Sequence, residues 1–413
     1  MTDRISRRVI LLLAVTCGVA VGNVYFPQTI SPLVAMGLEV SADSAALVVT
    51  ATQFGYAAGI FLLVPLGDRF PHRPLIVTLL VLSGAGLLAA STASALPPLI
   101  GASALIGVAT VVAPLIGPMA VGLVADDRQG VVSGTLLSGS IGGILLSRAL
   151  GGTIGEWLGW RAPYLMAAVL SLILAALLTR ALPATAPPSG QKYPALLAES
   201  MRLLRTEPEL RRSCFYQATV FGGFSAVWTG VALLLTGPVY HMGARAVGLL
   251  ALVNAATMLC TPIAGRRVDR RGPDEVNLIS MSAVVASALA LAFGTLGGAF
   301  GLMALALGTL LLDVGMQSGM VANTVRILAL RPEVRSRLNT AYMTCAYVGG
   351  SAGSWLGVRA YARFGWLGVC TVLLLLATAA LVRHVRAVTP ASCQAALEVS
   401  PDSSQNSARN TRR

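Results

Sequence analysis

Charged residues are scarce in this chain, and their scarcity argues against a soluble protein. Only 11% of the 413 residues are Asp, Glu, Lys or Arg, whereas soluble domains carry about 25%. The hydrophobic content of 55% and the mean hydropathy of +0.75 point the same way. A surface with so few charges cannot face water on all sides, so most of it must face lipid.

Patterns typical of catalytic and metal-binding proteins are also missing. The single lysine, Lys192, follows Gln191, so the chain has no Gly-Lys phosphate loop for ATP. The three histidines lie at the ends of different apolar runs, and the six cysteines form no C-x-x-C pair. We therefore predict that the protein is not an enzyme and holds neither a cofactor nor a metal ion.

Long apolar runs are what the chain has in abundance. A helix needs about 20 consecutive apolar residues to cross a bilayer core of about 30 Å. The runs of the first half are 9–34, 44–66, 74–94, 98–124, 130–154 and 163–182. Those of the second half are 213–239, 244–265, 277–296, 300–325, 338–360 and 366–385. The expected fold is an all-α membrane protein with twelve transmembrane helices in two pseudo-symmetric six-helix bundles.

One long break separates the two sets of runs and divides the chain into units. The predicted units are an N-terminal bundle, a cytoplasmic linker, a C-terminal bundle and a disordered cytoplasmic tail, at 1–183, 184–212, 213–386 and 387–413. Within the linker, Leu197, Met201 and Leu204 share one helical face. This pattern predicts an amphipathic helix on the inner membrane surface. A solvated loop is the alternative.

The positions of the basic residues predict the orientation in the membrane. With the amino terminus inside, all but five of the 30 Lys and Arg residues fall at inner ends of the predicted helices. The exceptions are Arg148, Arg161, Arg245, Arg359 and Arg363. This asymmetry follows the positive-inside rule and places both termini in the cytoplasm. Basic residues scattered over many short segments do not form one basic face, so no nucleic-acid partner is expected.

Two pairs of similar segments indicate that the halves are duplicated. Leu66–Arg73 joins the second and third runs, and Gly265–Gly272 joins the eighth and ninth, each with an Asp-Arg pair. A Gly-Trp pair opens the last run of each half, at 159–160 and 365–366. Duplicated halves are a common plan of secondary transporters, whose substrate site lies between them.

These motifs resemble those of the major facilitator superfamily, and the resemblance covers residues 9–386. The residues that match the family's loop signature are Gly265, Asp269, Arg270 and Gly272 in the second half and Asp68, Arg69 and Arg73 in the first. The resemblance implies that these loops govern the conformational switch, although they could instead only set the topology.

The segments 23–28, 143–148 and 311–315 make the chain most similar, within that family, to bacterial twelve-helix drug/proton antiporters of the arabinose-efflux-permease type. The resemblance implies proton-coupled export across the bacterial inner membrane, with uptake or facilitated flux as the alternative. Two departures stand out. Ser147-Arg148 replaces the Gly-Pro of the fifth-helix antiporter motif, and Ser103 stands where the fourth helix normally carries an arginine.

Asp313 and Arg148 are the candidates for proton coupling, because ionisable groups deep in a membrane are costly and usually functional. Asp313 lies in the middle of the tenth run on a polar stripe with Thr309, Gln317 and Met320. It could bind a proton or cation, hold the structure by a hydrogen bond, or pair with an arginine. Whether it contacts Arg148 is left open.

Polar and aromatic side chains on helices that line the family's cavity are candidates for substrate contact. They are Asn23, Tyr25, Gln28, Gln217, Phe221, Phe224, Trp228, Gln317 and Met320. An ordinary packing role is the alternative for the aromatic stripe of the seventh run. One acid and few polar groups favour a small, moderately hydrophobic or amphipathic substrate. The expected partners are this substrate, protons and membrane lipid, and the expected state is a monomer.

Overall fold

Twelve helical spans in two bundles form the main body of the protein in the computed structural model, which describes residues 6–125, 128–183 and 192–398. The first-half spans are Arg7–Gly37, Ala42–Asp68, His72–Ser91, Leu96–Val121, Gln129–Leu158 and Arg161–Ala181. The second-half spans are Pro208–Thr236, 244–271, 273–296, Gly298–Leu330, 335–364 and 366–398. The predicted fold class is confirmed. We number the spans from one to twelve and call inner the ends that carry the basic loops.

Ten of the described helices are long and apolar enough to cross a membrane. The longest of them contains two spans, because Gly365 leaves the helical conformation at φ 62°. The short apolar helix Ala244–Ala256 accounts for the remaining span. Hydropathy alone thus recovers the twelve spans once glycine kinks are read as boundaries.

The two Gly-Trp pairs have the same structural role in both halves. Gly159 and Gly365 have φ values of 86° and 62°, a conformation that other residues rarely adopt. The following Trp160 and Trp366 are 4% and 3% exposed. In each half, therefore, glycine makes the sharp turn into the last span and tryptophan anchors that span in the bundle.

Glycines also allow one helix pair in each half to approach closely. Gly143 of the fifth span lies against the backbone of Gly18 in the first, and Gly353 of the eleventh lies against Gly222 in the seventh. Contacts one helical turn earlier repeat the pattern, at Gly139 with Ala14 and Gly349 with Ala218. Small residues four apart let helix backbones meet in lipid, where packing drives association.

The two halves meet along two helix pairs. At the outer ends of the fifth and eighth spans, Gly152 packs on the backbone of Ala244. Beside it, the Arg245 backbone N–H donates a hydrogen bond of 2.9 Å to the Glu156 carboxylate. Between the eleventh and second spans, the Ser351 hydroxyl donates to the Thr50 carbonyl at 3.1 Å. These contacts close the interface on the outer side.

The linker contains the predicted helix, but its predicted apolar face is wrong by about one position. The helix is Tyr193–Thr206, and its buried residues are Leu196, Ser200 and Leu203. Leu203 packs against Leu210 and Leu338 of the second bundle. Because the helix already covers the bundle with this face, Met201 on the predicted face is left 42% exposed.

The end of the chain also differs from the prediction. The twelfth span continues as helix to Glu398, so residues 387–398 are helical and not a disordered tail. The rest of the predicted tail, 399–413, and the Pro-rich part of the linker, 184–191, lie outside the described residues.

Candidate functional site

A buried hydrogen bond joins two candidate residues at the centre of the molecule. The indole N–H of Trp228, on the seventh span, donates to Asp313 Oδ1, on the tenth span, at 3.1 Å. Trp228 is fully buried and Asp313 is 6% exposed. Among the described residues, Asp313 is the one buried acidic side chain. The predicted mid-membrane carboxyl therefore has a specific partner on a neighbouring span.

Arg148 reaches the same place from the other half. Its guanidinium lies 4.0 Å from the centroid of the Trp228 ring and donates a 2.9 Å hydrogen bond to Gln28 Oε1. The rings of Tyr25 and Phe224 lie at 5.1 and 5.5 Å from it. A cation over an aromatic face is attracted by the ring quadrupole. Side chains of two other spans, the first and the seventh, thus surround this one charge.

Arg148 and Asp313 are connected through Trp228 and not by direct contact. The ion pairs found between described residues, with a limit of 4.0 Å, do not include these two. Instead the guanidinium contacts the indole ring and the carboxylate accepts from the indole N–H. The third possibility for Asp313, a direct pairing with an arginine, is therefore not what the structure shows.

A wall of aromatic rings continues from this centre. Phe221 and Phe224 stack at 5.5 Å, and Phe221 meets Tyr347 edge to face at 5.0 Å. The Tyr347 hydroxyl is 3.2 Å from the hydroxyl of Tyr25 across the two halves, and its ring is 4.5 Å from that of Tyr56. Sequence reasoning missed Tyr347 and Tyr56. The available signal was a phenol in the middle of an apolar run.

Four predicted cavity residues lie apart from this cluster. Asn23 donates to Ser83 within the first half, at 3.5 Å. Gln217 accepts a 2.9 Å hydrogen bond from the Tyr342 hydroxyl within the second half. Gln317 and Met320 are half-buried on the tenth span, on the inner side of Asp313. The structure therefore leaves these four candidates outside the central cluster and brings the other five together around Arg148 and Asp313.

The two predicted switch loops differ in structure. In the first half, Asp68 ends a short 3₁₀ helix, and the charge of Arg337 on the eleventh span attracts its carboxylate. Arg337 also pairs with Glu199 of the linker helix at 2.9 Å. In this way one arginine joins the second span, the eleventh span and the linker.

In the second half, the predicted loop is helical up to Arg271, so Gly265, Asp269 and Arg270 lie on a helix. Only Gly272, at φ 80°, leaves the helix and separates the eighth and ninth spans. Asp269 is exposed, and no hydrogen bond or ion pair joins it to a described residue. A switch role for Asp269 stays a prediction that this geometry does not support.

Asp274 has the contacts that were expected of Asp269. Its carboxylate accepts from Arg212 at 2.5 Å and from Arg326, and Glu209 lies 3.4 Å from Arg212. This network ties the seventh, ninth and tenth spans at their inner ends. Arg326 was expected just beyond the tenth span, but the helix continues past it, and the residue is buried with 8% of its surface exposed. An acid directly after Gly-Pro at a helix start was the missed signal.

We expect Asp274→Asn to lower thermal stability and transport, whereas Asp269→Asn, the same change five residues away, leaves thermal stability near wild type. Losing a charge-assisted hydrogen bond costs about 1.5–3 kcal/mol, and the partial exposure of Asp274 keeps the cost at the lower end. Thermal unfolding of the two purified variants measures the difference. Equal destabilisation by the two changes would contradict the importance of this network.

Comparison with known proteins agrees with this architecture. The family model described as Major Facilitator Superfamily matches residues 11–354. The chain belongs to this family. As a member of the Major Facilitator Superfamily, it is a multi-pass secondary transporter of a small molecule and not an enzyme.

Relatives of this family member are similar over nearly their whole length. The Uncharacterized transporter YgaY of Escherichia coli is 35% identical over 366 residues, which are 89% of this chain and 92% of that protein. The Probable transporter SCO4007 of Streptomyces coelicolor is 33% identical over 386 residues, 92% and 89% of the two chains. The crystal structure of a mutant of the nucleoside transporter NupG superposes with a TM-score of 0.74 at 13% identity, covering 92% and 98%. This last likeness shows the fold alone.

Proposed function

We propose that this transporter couples the movement of a small, moderately hydrophobic or amphipathic molecule to protons, by alternating access between its two halves. The observation that carries the proposal is the buried Asp313, which accepts a hydrogen bond from Trp228 beside Arg148. A carboxyl can take up a proton in one conformation and release it in another. The surrounding aromatic rings offer surfaces for an apolar substrate body.

Export in exchange for protons is the direction we propose first, because the sequence is similar to drug/proton antiporters. Uptake is the second candidate, and one observation favours it. The arginine usual in the fourth span is replaced by Ser103, an uncharged residue whose hydroxyl donates to the Leu99 carbonyl of its own helix. Proton coupling by the usual route is therefore not available, and Arg148 is the nearest charge to Asp313 among the contacts described above.

The experiment that separates these directions uses a host that lacks its own drug pumps. Cells that express the transporter are tested for survival on a panel of toxic compounds, and inside-out vesicles with a pH-sensitive dye report proton release on addition of each compound. Export predicts resistance together with proton release from acidified vesicles. Greater toxicity in the expressing cells would indicate uptake. A compound that moves without any proton signal would contradict coupling.

The location that we propose is the bacterial inner membrane, with both termini in the cytoplasm. Reporter fusions at Thr2, Gln191 and Gln405 should all give the cytoplasmic signal, because the basic residues lie on that side and the span number is even. A fusion at Gly298, between the ninth and tenth spans, is the external control. A periplasmic signal from any of the first three positions contradicts the orientation. Since one chain supplies both halves, we propose that it works as a monomer.

A further inference from the structure

The charge of Arg148 is buried without an anion in direct contact among the described residues. The residue is 1% exposed, and its one hydrogen bond to a described side chain goes to the neutral amide oxygen of Gln28. Buried charges in proteins are normally paired, because removing an ion from water carries a large free-energy penalty. Contact with the Trp228 ring offsets only a part of that penalty. An anion in direct contact with the guanidinium is the missing component of this site.

Asp313 does not supply that anion by direct contact. Its Oδ1 accepts the indole N–H of Trp228, and the face of the same ring is turned to the guanidinium. When Asp313 carries a proton, as the proposed function requires in part of the cycle, the whole centre has a net positive charge. An anionic ligand bound together with the proton would neutralise it, an arrangement that fits uptake, the second candidate direction, better than exchange.

Two donors at this place have no acceptor. Arg148 Nε and Gln28 Nε2 are buried and lack a hydrogen-bond partner among the described residues. They belong to side chains that are already joined, since Arg148 donates to Gln28 Oε1 at 2.9 Å. Unmet buried donors are costly, and most native proteins avoid them. The free Nε–H of the guanidinium and the free N–H of the Gln28 amide offer two donors to the two oxygens of a carboxylate.

Aromatic rings flank the same charge. Tyr25 and Phe224 lie 5.1 and 5.5 Å from the guanidinium, and Phe221 stacks on Phe224. The ring faces can hold a flat or aliphatic body while the charged end binds to Arg148. A cationic ligand would instead meet an unneutralised positive charge, which disfavours its binding in a low-dielectric site.

We propose that the substrate of this central site is an organic monoanion, whose carboxylate binds Arg148 and Gln28 and whose apolar body lies on the aromatic wall. The proposal rests on the proposed function, in that it assigns a substrate class to the same transport site. It adds a charge requirement that neither the fold nor a proton site at Asp313 implies. The monoanion substrate can be wrong while the proton coupling is right, and the coupling can be wrong while the substrate class is right.

The test compares ligands that have one body and different charge. Purified wild-type protein in detergent is titrated with 3-phenylpropanoate, 3-phenylpropanamide and 3-phenylpropylammonium, and octanoate adds an aliphatic carboxylate. Binding is measured by calorimetry and by the shift of the thermal unfolding midpoint. We expect at least one carboxylate to bind, the amide to bind about tenfold or more weakly, and the ammonium to give no shift.

Variants of Arg148 assign the preference to this residue. Arg148→Gln should remove the preference for carboxylate over amide, and Arg148→Lys should keep part of it, since a lysine retains the charge but not the paired donors. Arg161→Gln is the matched control. Arg161 also lies over a tryptophan ring, that of Trp160 at 4.3 Å, but at the outer surface. It should bind the carboxylate like wild type.

The outcomes separate the two proposals. Equal or tighter binding of the amide, no binding of either carboxylate, or an unchanged carboxylate preference in Arg148→Gln would overturn the monoanion site. If Arg148→Gln does not fold, a reduced carboxylate preference in Arg148→Lys supports the monoanion site, and an unchanged preference at unchanged affinity overturns it. In proteoliposomes, carboxylate transport that depends on Arg148 but moves no protons supports the monoanion substrate and refutes the proton coupling. Proton-coupled transport of a neutral compound that is unchanged in Arg148→Gln supports the coupling and refutes the monoanion substrate.

Discussion

Asp313→Asn is expected to reduce uphill transport to background while exchange or downhill flux of the same compound persists. Asparagine keeps the size of the side chain and an oxygen that can accept from the Trp228 indole. It cannot bind and release a proton, so the proton gradient no longer drives a net movement. Proteoliposomes measure both quantities, one with an imposed pH gradient and the other with substrate on both sides.

The control for this result is Glu39→Gln, which neutralises an exposed carboxyl at the outer end of the first span. It should leave both fluxes unchanged. A purely structural role for Asp313 predicts another result, in which asparagine restores nearly full activity because the hydrogen bond to Trp228 survives. Accumulation against the gradient at the wild-type rate would exclude Asp313 as the proton site and favour a facilitator.

Gly143→Ala and Gly353→Ala are expected to destabilise the protein more than any conservative change on the surface. A Cβ at Gly143 would collide with the backbone of Gly18, and one at Gly353 with the backbone of Gly222. Backbone cannot move aside as a flexible side chain can, so the helix pairs must separate. Overpacking of this kind costs about 1–3 kcal/mol, and separation of the whole seam costs more.

Gly134→Ala, on the same span as Gly143, is the matched control. A Cβ there meets no atom within 4 Å, and alanine is favoured over glycine in a helix by about 1 kcal/mol. Folded yield in the membrane and the thermal unfolding midpoint compare the three variants. If the Gly143 and Gly353 variants unfold at the same temperature as the control, then the close helix contacts are not what holds each bundle together.

The fold could be predicted because its determinants are local. Each span is an apolar run of sufficient length, and the boundaries fall at glycines that the sequence displays, such as Gly159 and Gly365. Helix extension was harder to foresee. Arg326 was expected beyond the tenth span, but the helix includes it because it pairs with Asp274, and the last helix continues through residues 387–398 without an apolar run.

The central site was only partly predictable. Asp313 and Arg148 stand out individually, since charges are rare in apolar runs. Their relation through Trp228 depends on how the fifth, seventh and tenth spans pack, and periodicity within one helix contains no information about that packing. The face of the linker helix was misplaced for a similar reason, because two neighbouring faces both carry leucines until the bundle selects the one with Leu196 and Leu203.

The hydrogen bond between Arg148 and Gln28 has a consequence for biogenesis. During synthesis the fifth span enters the bilayer well before Trp228 and Asp313 are made, and an arginine in the middle of a helix opposes insertion by about 2.5–3.5 kcal/mol. Gln28, on the first span, is already in the membrane at that moment and can accept from the guanidinium. The first half can therefore stabilise the Arg148 charge by this hydrogen bond during translation, and the second half adds Trp228 and Asp313 when it docks.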